Sequence, residues 1–172
     1  MDSQLVLMRH AKSDWHSGVE DDFSRPLNRR GNRDAQKMGG WLNASNYLPD
    51  RILSSTANRT RETVDRMSEG ADCDLASRTV WVPELYLGSV QDLLTAFSHS
   101  GGPGRTMLLA HNPGMEELLD WLAPEIIRGA PGNEKTFPTA AVYVLELEGA
   151  AGGIKRGSAR LIAHQRPKAL GE

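Results

Sequence analysis

Short apolar runs, set apart by helix-length segments of mixed polarity, limit this chain's fold more than any other feature. Residues 5–8 read Leu-Val-Leu-Met, with no polar residue among them. A strand with one wet face alternates apolar and polar side chains, so an unbroken run of this kind predicts a strand covered on both faces. Further strands are read at 51–54 (Arg-Ile-Leu-Ser), at 80–82 (closed by Pro83) and at 106–110, the last buried like the first. The segments between them carry apolar residues at helical spacing. Ala35, Met38 and Leu42 share a face over 30–42, Val64 and Met67 over 57–68, and Val90, Leu93, Leu94 and Phe97 over 89–97. A fourth helix opens after 106–110 and runs to 121, with Asn112 as its N-cap and Pro113 in the first helical position. Two last strands, 141–147 and 158–165, are joined through a Gly-rich turn at 149–157. The order βαβαβαβα and then ββ predicts an α/β fold, a three-layer α/β/α sandwich on a mainly parallel sheet, as one domain over 1–172.

The bulk numbers exclude several classes. With 20 basic and 22 acidic side chains the net charge is −2, which gives no general pull toward nucleic acid or an anionic membrane. Any anion site is therefore local. The nine basic and four acidic residues between 25 and 66 read as a solvated face able to steer an anionic partner. Cys73 is the single cysteine, so an internal disulfide is impossible, a cysteine zinc site is disfavoured, and a reducing compartment is expected. Arg9 and His10 end the first apolar run too early for a signal peptide or a membrane span, and the expectation is a cytoplasmic protein.

In an open α/β sheet, ligands gather beyond the carboxyl ends of the strands. Arg9 and His10 follow the first strand, Ser54, Ser55 and Arg59 the second, Pro83 and Glu84 the third, and His111 and Asn112 the fourth. Two arginines, two histidines and a carboxylate thus converge on one rim. Arginine forks two donors onto a phosphate, and histidine serves as a nucleophile when neutral. His16, His99 and His164 lack such company and read as structural or exposed. No histidine pair has i, i+4 spacing and no H-E-x-x-H occurs, so no metal and no cofactor is expected. P-loop, G-x-S-x-G and G-x-G-x-x-G patterns are also absent. On residue type and spacing alone, Arg59 and Arg61 remain equal candidates for the second arginine.

These stretches resemble the histidine phosphatase superfamily, which includes the phosphoglycerate mutases. Arg9-His10-Ala11 resembles its R-H-G signature, with alanine for the usual glycine. Residues 25–31 are similar to the R-P-L-T-x-x-G element of SixA-like phosphohistidine phosphatases. Residues 54–63 are similar to S-S-P-x-x-R-A-x-Q-T, with Thr56 in place of proline. Pro83-Glu84-Leu85, the stretch 108–113 and the stretch 138–141 match the later motifs in order. The resemblance implies a phosphoglycerate mutase-like fold. It implies His10 as the transiently phosphorylated nucleophile, with Arg9, Arg59 and His111 binding the phosphoryl oxygens. It also selects Arg59 over Arg61. Asn112 joins the expected substrate-binding group.

The expected reaction is metal-independent phosphoryl transfer to His10 followed by hydrolysis. Glu84 is the first candidate for a general acid, with Asp92 and Asp21 as alternatives. The expected substrate is phosphohistidine in a histidine-phosphotransfer protein. The alternatives are a small phosphomonoester, or a non-catalytic phosphate-binding module.

Overall fold

The apolar run at 5–8 forms the middle of the sheet. In the computed structural model, which describes residues 3–100, 103–132, 135–149 and 153–171, Leu5, Val6, Leu7 and Met8 have no exposed surface. They belong to β1 (Gln4–Arg9), which pairs in parallel with β4 (Arg105–Ala110) and antiparallel with β5 (Val142–Leu147). β2 (Arg51–Ser54) lies between β4 and β3 (Thr79–Trp81), parallel to both. β6 (Ala159–Gln165) closes the other edge beside β5, antiparallel to it. The sheet order is β3-β2-β4-β1-β5-β6, and β5 alone among these strands runs against the rest.

Side-chain alternation along β1 builds two cores, one on each face. Leu5 and Leu7 pack with Leu53, Leu108 and Tyr143 beneath α3 (Val90–Ser100) and α4 (Gly114–Leu122), through Leu93, Met115 and Leu118. Val6 and Met8 pack with Ile52, Met107 and Leu109 beneath α1 (Arg29–Ala44) and α2 (Asn58–Ala71), through Ala35, Met38, Val64 and Met67. Helices therefore cover both faces, as the apolar runs require. No helix of the described residues is long and apolar enough to cross a membrane.

Several boundaries differ from the sequence expectation. α1 and α2 each extend beyond the expected ranges, and β3 begins and ends one residue earlier. A short α5 (Pro124–Arg128) was not foreseen, because its five residues are too few to show a period. Asn112 is not a helix cap. Pro113 is the residue that precedes α4, and no side chain caps that end. The Asn112 amide instead donates to the Phe137 carbonyl at 3.0 Å. Of the expected Gly-rich segments, residues 101–102 and 150–152 lie outside the described residues.

α1 and α2 cross so closely that two glycines are obligatory. A Cβ on Gly39 would lie 2.1 Å from the Met67 carbonyl oxygen, and one on Gly70 would lie 1.8 Å from that of Gln36. At the neighbouring Gly40 the nearest atom is 3.4 Å away, an ordinary contact. Gly39→Ala is expected to cost about 1–3 kcal/mol through backbone displacement. Gly40→Ala, one residue along the same helix, should be neutral or stabilise by up to about 1 kcal/mol. Urea unfolding of the two variants side by side checks this. Equal stabilities would contradict the crossing geometry.

Candidate active site

The strand register sets the first element of the site. Arg9 is paired with Ala110 and Ser54 with Leu109, so the residues that follow, His10, His111 and Ser55, leave three adjacent strand ends together. Main-chain bonds continue the ladder one step further, from His10 N to the Ala110 carbonyl at 3.1 Å and from Ser55 N to the Leu109 carbonyl at 3.0 Å. The His10 and His111 rings lie 5.1 Å apart between centroids. Both are buried.

A hydrogen bond fixes the proton on the His10 ring. His10 Nδ1 is 2.7 Å from the Ala11 carbonyl oxygen, which can only accept. The proton therefore sits on Nδ1, and Nε2 keeps a free lone pair. Burial pushes His10 well below the ordinary histidine value; the bond to Ala11 opposes it, and the neighbouring His111, Arg59 and Arg9 each add a smaller lowering. The ring is neutral at physiological pH. His111 Nε2 is 2.8 Å from Ser55 Oγ, which already accepts from the Ala57 N–H at 3.2 Å. The Ser55 hydroxyl has one proton and two lone pairs, so it can accept from Ala57 and also donate to Nε2; in that tautomer the His111 proton is on Nδ1. Burial and then the Arg59 charge push His111 down to about 3.

Two arginines complete the group. Arg59, in the first turn of α2, is 2% exposed. Arg61 lies outside, its guanidinium 4.4 Å from the Trp81 ring centre. Of the two arginines that residue type left equal, Arg59 is thus the buried one. Thr63 ties this helix to β1, accepting from the Ala11 N–H at 3.1 Å and donating to the Arg59 carbonyl at 2.7 Å. Arg9 donates through Nη1 to the Phe137 carbonyl at 3.2 Å. The main chain of Ala140, in the left-handed region at φ 62°, donates to the carbonyls of Arg9 and His10.

Buried donors without partners mark the centre of the arrangement. Arg9 Nε, Arg59 Nε and His111 Nδ1 are all buried and have no hydrogen-bond partner among the described residues. Leaving buried polar groups unpaired is costly, and three donors of this kind beside a neutral imidazole make a ready receptor for an anion. Among the described residues no three His, Cys, Asp or Glu side chains gather to hold a metal.

The expected acids lie elsewhere. Glu84 is exposed in the turn Pro83–Leu85 and makes no side-chain hydrogen bond or ion pair among the described residues. Asp92 bonds the Ser89 N–H and hydroxyl and so caps α3. Asp21 accepts from the Ser24 N–H at 2.8 Å. Asp22, which the sequence did not single out, is the carboxylate that reaches the pocket. It accepts from Arg59 Nη2 at 3.0 Å, from the Tyr86 hydroxyl at 2.5 Å and from Arg25 Nη1. Burial pushes its carboxyl up, but Tyr86, Arg25 and Arg59 outweigh this and hold it well below the ordinary range. Arg25 is itself buried, bonded to Ser13 and stacked 3.6 Å from the centre of the exposed Trp15 ring. Burial lowers the Arg9 guanidinium from its ordinary value, and Glu116, in the first turn of α4, opposes this. A separate groove of about 620 Å³ lies by α1, with Arg30, Arg33, Lys37 and Lys168 on its walls. None of those four is among the unpartnered buried donors.

Comparison with known proteins agrees with the geometry. Residues 5–113 match the model of the histidine phosphatase superfamily (branch 1). The chain is 34% identical over 133 residues to a chloroplastic protein of Arabidopsis thaliana, covering 73% of this chain and 61% of that protein's length. It is 32% identical over 165 residues to a protein of Mycobacterium tuberculosis, covering 94% of this chain and all of the relative. The solved structure of SixA from Agrobacterium tumefaciens, a protein named as a phosphohistidine phosphatase, superposes with a TM-score of 0.80. It shares 29% identity, with 97% of this chain and 99% of that chain covered.

The neutral histidines make stability pH-dependent. A histidine held below its unfolded value contributes fully above that value, and the contribution is lost as pH falls through it. Unfolding free energy is expected to be flat above pH 7. It should drop from the ordinary value of 6.5 downward, by up to about 1.4 kcal/mol per pH unit for each such ring. His164, also lowered by burial, adds to the same limb, whereas Asp22 adds a loss only below 3.8. Urea unfolding at stepped pH, in buffers free of phosphate and sulfate, measures the slope. His111→Gln should shallow it.

Proposed function

The chain belongs to the histidine phosphatase superfamily, and from that premise we propose that it removes phosphoryl groups from phosphohistidine in a partner protein, working through His10. The observation that carries the chemistry is the set of unpartnered buried donors, Arg9 Nε, Arg59 Nε and His111 Nδ1, around a histidine whose Nε2 lone pair is free. His10 Nε2 attacks phosphorus, and the bond between phosphorus and the leaving group breaks with its electron pair going to that group. Arg9, Arg59 and His111 offset charge on the three equatorial oxygens, which is the main catalytic demand of phosphoryl transfer. Water then attacks the phosphohistidine. Its P–N bond breaks, the pair returns to Nε2, and phosphate leaves. Asn112 holds the Phe137 carbonyl that also receives Arg9, which places it as a positioning group for that arginine.

The state of Asp22 favours a nitrogen leaving group. An alkoxide leaving from a phosphomonoester needs a proton from the enzyme. Asp22 is held deprotonated and has no proton to give. Glu84, the acid first expected, lies exposed without a hydrogen bond to hold it over the pocket. An imidazole leaving group makes a weaker P–N bond and asks less of an acid. This supports a phosphorylated histidine-phosphotransfer domain as the partner, ahead of a small phosphomonoester.

Label transfer tests the proposal. Incubation with a radiolabelled phosphohistidine domain and an alkaline quench should leave acid-labile label on His10, and His10→Ala should abolish both label and turnover. His111→Ala should lower kcat by about 10²–10³, as removal of one transition-state donor does, with the fold intact by circular dichroism. Faster turnover of sugar or nucleotide phosphates than of the phosphohistidine domain would overturn the substrate assignment. Full activity of His10→Ala would overturn the mechanism.

A further inference from the structure

Asp22 places a negative charge against Arg59, one of the two arginines expected to hold the substrate's phosphoryl group. Arg59 presents two sides. Nη1 donates to the Asp22 main-chain carbonyl at 2.7 Å and Nη2 to its carboxylate at 3.0 Å, while Nε faces no partner among the described residues. The same carboxylate receives the Tyr86 hydroxyl and Arg25, so it is anchored from three elements. Its loop is fastened in turn. Asn58 N and Nδ2 donate to the carbonyls of Phe23 and Ser24, and the Phe23 ring meets Tyr86 edge-on at 5.0 Å. A cation as buried as Arg59 requires a counter-charge, and Asp22 supplies one.

We propose that Asp22 is an internal counter-anion that weakens the pocket's hold on free phosphate. It neutralises Arg59 when the site is empty and repels the dianion that comes to lie between Arg9, Arg59 and His111. This rests on those three groups forming the phosphoryl site. The benefit concerns the end of the cycle. Hydrolysis leaves inorganic phosphate among two arginines and a histidine, and binding it more tightly than necessary slows turnover without helping the chemical step. A fixed carboxylate on the far side of Arg59 lowers that affinity and returns to full contact with the guanidinium as phosphate leaves. Asp22 is 39% exposed, so solvent moderates the repulsion.

A purely structural role and the counter-anion role predict opposite signs. If Asp22 only braced Arg59, losing it would loosen the guanidinium and weaken anion binding. If it competes with phosphate, losing its charge leaves Arg59 and Arg25 short of a counter-ion, and phosphate binds more tightly. Calorimetric titration with inorganic phosphate at low salt should give a Kd roughly tenfold lower for Asp22→Asn than for the wild type. Asp22→Ser also removes the charge, keeps the main-chain carbonyl that receives Nη1, and should tighten binding in the same way. Asp22→Glu retains the charge and should stay near the wild-type Kd. Phosphate should also raise the Tm of Asp22→Asn more than that of the wild type. Unchanged or weaker phosphate binding by folded Asp22→Asn or Asp22→Ser overturns the counter-anion and leaves the phosphoryl site standing. Absence of phosphate binding in the wild type and all variants overturns both.

Discussion

The pairing of β1 with β4 is the constraint on which the rest depends. Its register, Arg9 against Ala110, joins two of the chain's apolar runs and places His10 beside His111 as they end. The same four buried residues, 5–8, supply both cores, so the sheet cannot shift by one residue without exchanging its faces. Catalytic geometry and core packing therefore share one determinant. A slip that moved His10 away from His111 would first have to turn Leu5 and Leu7 toward α1 and α2, and Val6 and Met8 toward α3 and α4. The hydrophobic energy of the core holds the two imidazoles in place.

Burial together with positive charge is the second constraint on the site's titrating groups. Arg9 and Arg59 enter a buried space that already holds two histidines. Both histidines respond by staying neutral. A proton on either ring would add a third buried cation, and burial alone already disfavours it. The neutrality that gives His10 its nucleophilic lone pair therefore follows first from burial, with His111 and the arginines adding to it, and needs no dedicated base. Asp22 balances part of the charge from outside, through a loop rather than a strand.

The strands, the helices on both faces and the strand-end positions of Arg9, His10 and His111 were legible because each rests on local pattern. An apolar run needs no knowledge of its partner strand, and the residue after a strand end is readable once the strand is. Arg59 carried a usable signal that residue type did not show. It lies in helical phase with Thr63 and Met67, both buried, whereas Arg61 does not. Asp22 had no such signal. It is the last of three consecutive acids, 20–22, in a loop without periodicity, and which of them turns inward depends on the Ser13–Leu27 bridge and on Arg25. Asn112 misled because its sequence context is that of a cap, while the Phe137 carbonyl, 25 residues away, claimed its amide. Glu84 follows its strand as expected, but following a strand does not fix where a carboxylate points.

The alanine at position 11 shows which part of the signature the chemistry uses. The Ala11 side chain is wholly buried and its backbone is outside the left-handed region, so glycine's conformational freedom is not needed there. What the site takes from residue 11 is its main chain. The N–H is held by Thr63 Oγ1, and the carbonyl receives the proton on His10 Nδ1. Because a carbonyl can only accept, the His10 tautomer is set by the backbone, and any side chain small enough for the cavity preserves it. The catalytic lone pair thus depends on the path of the chain at residue 11, which Thr63 fastens to the helix that carries Arg59. Nucleophile and phosphate-binding arginine are aligned through one threonine hydroxyl.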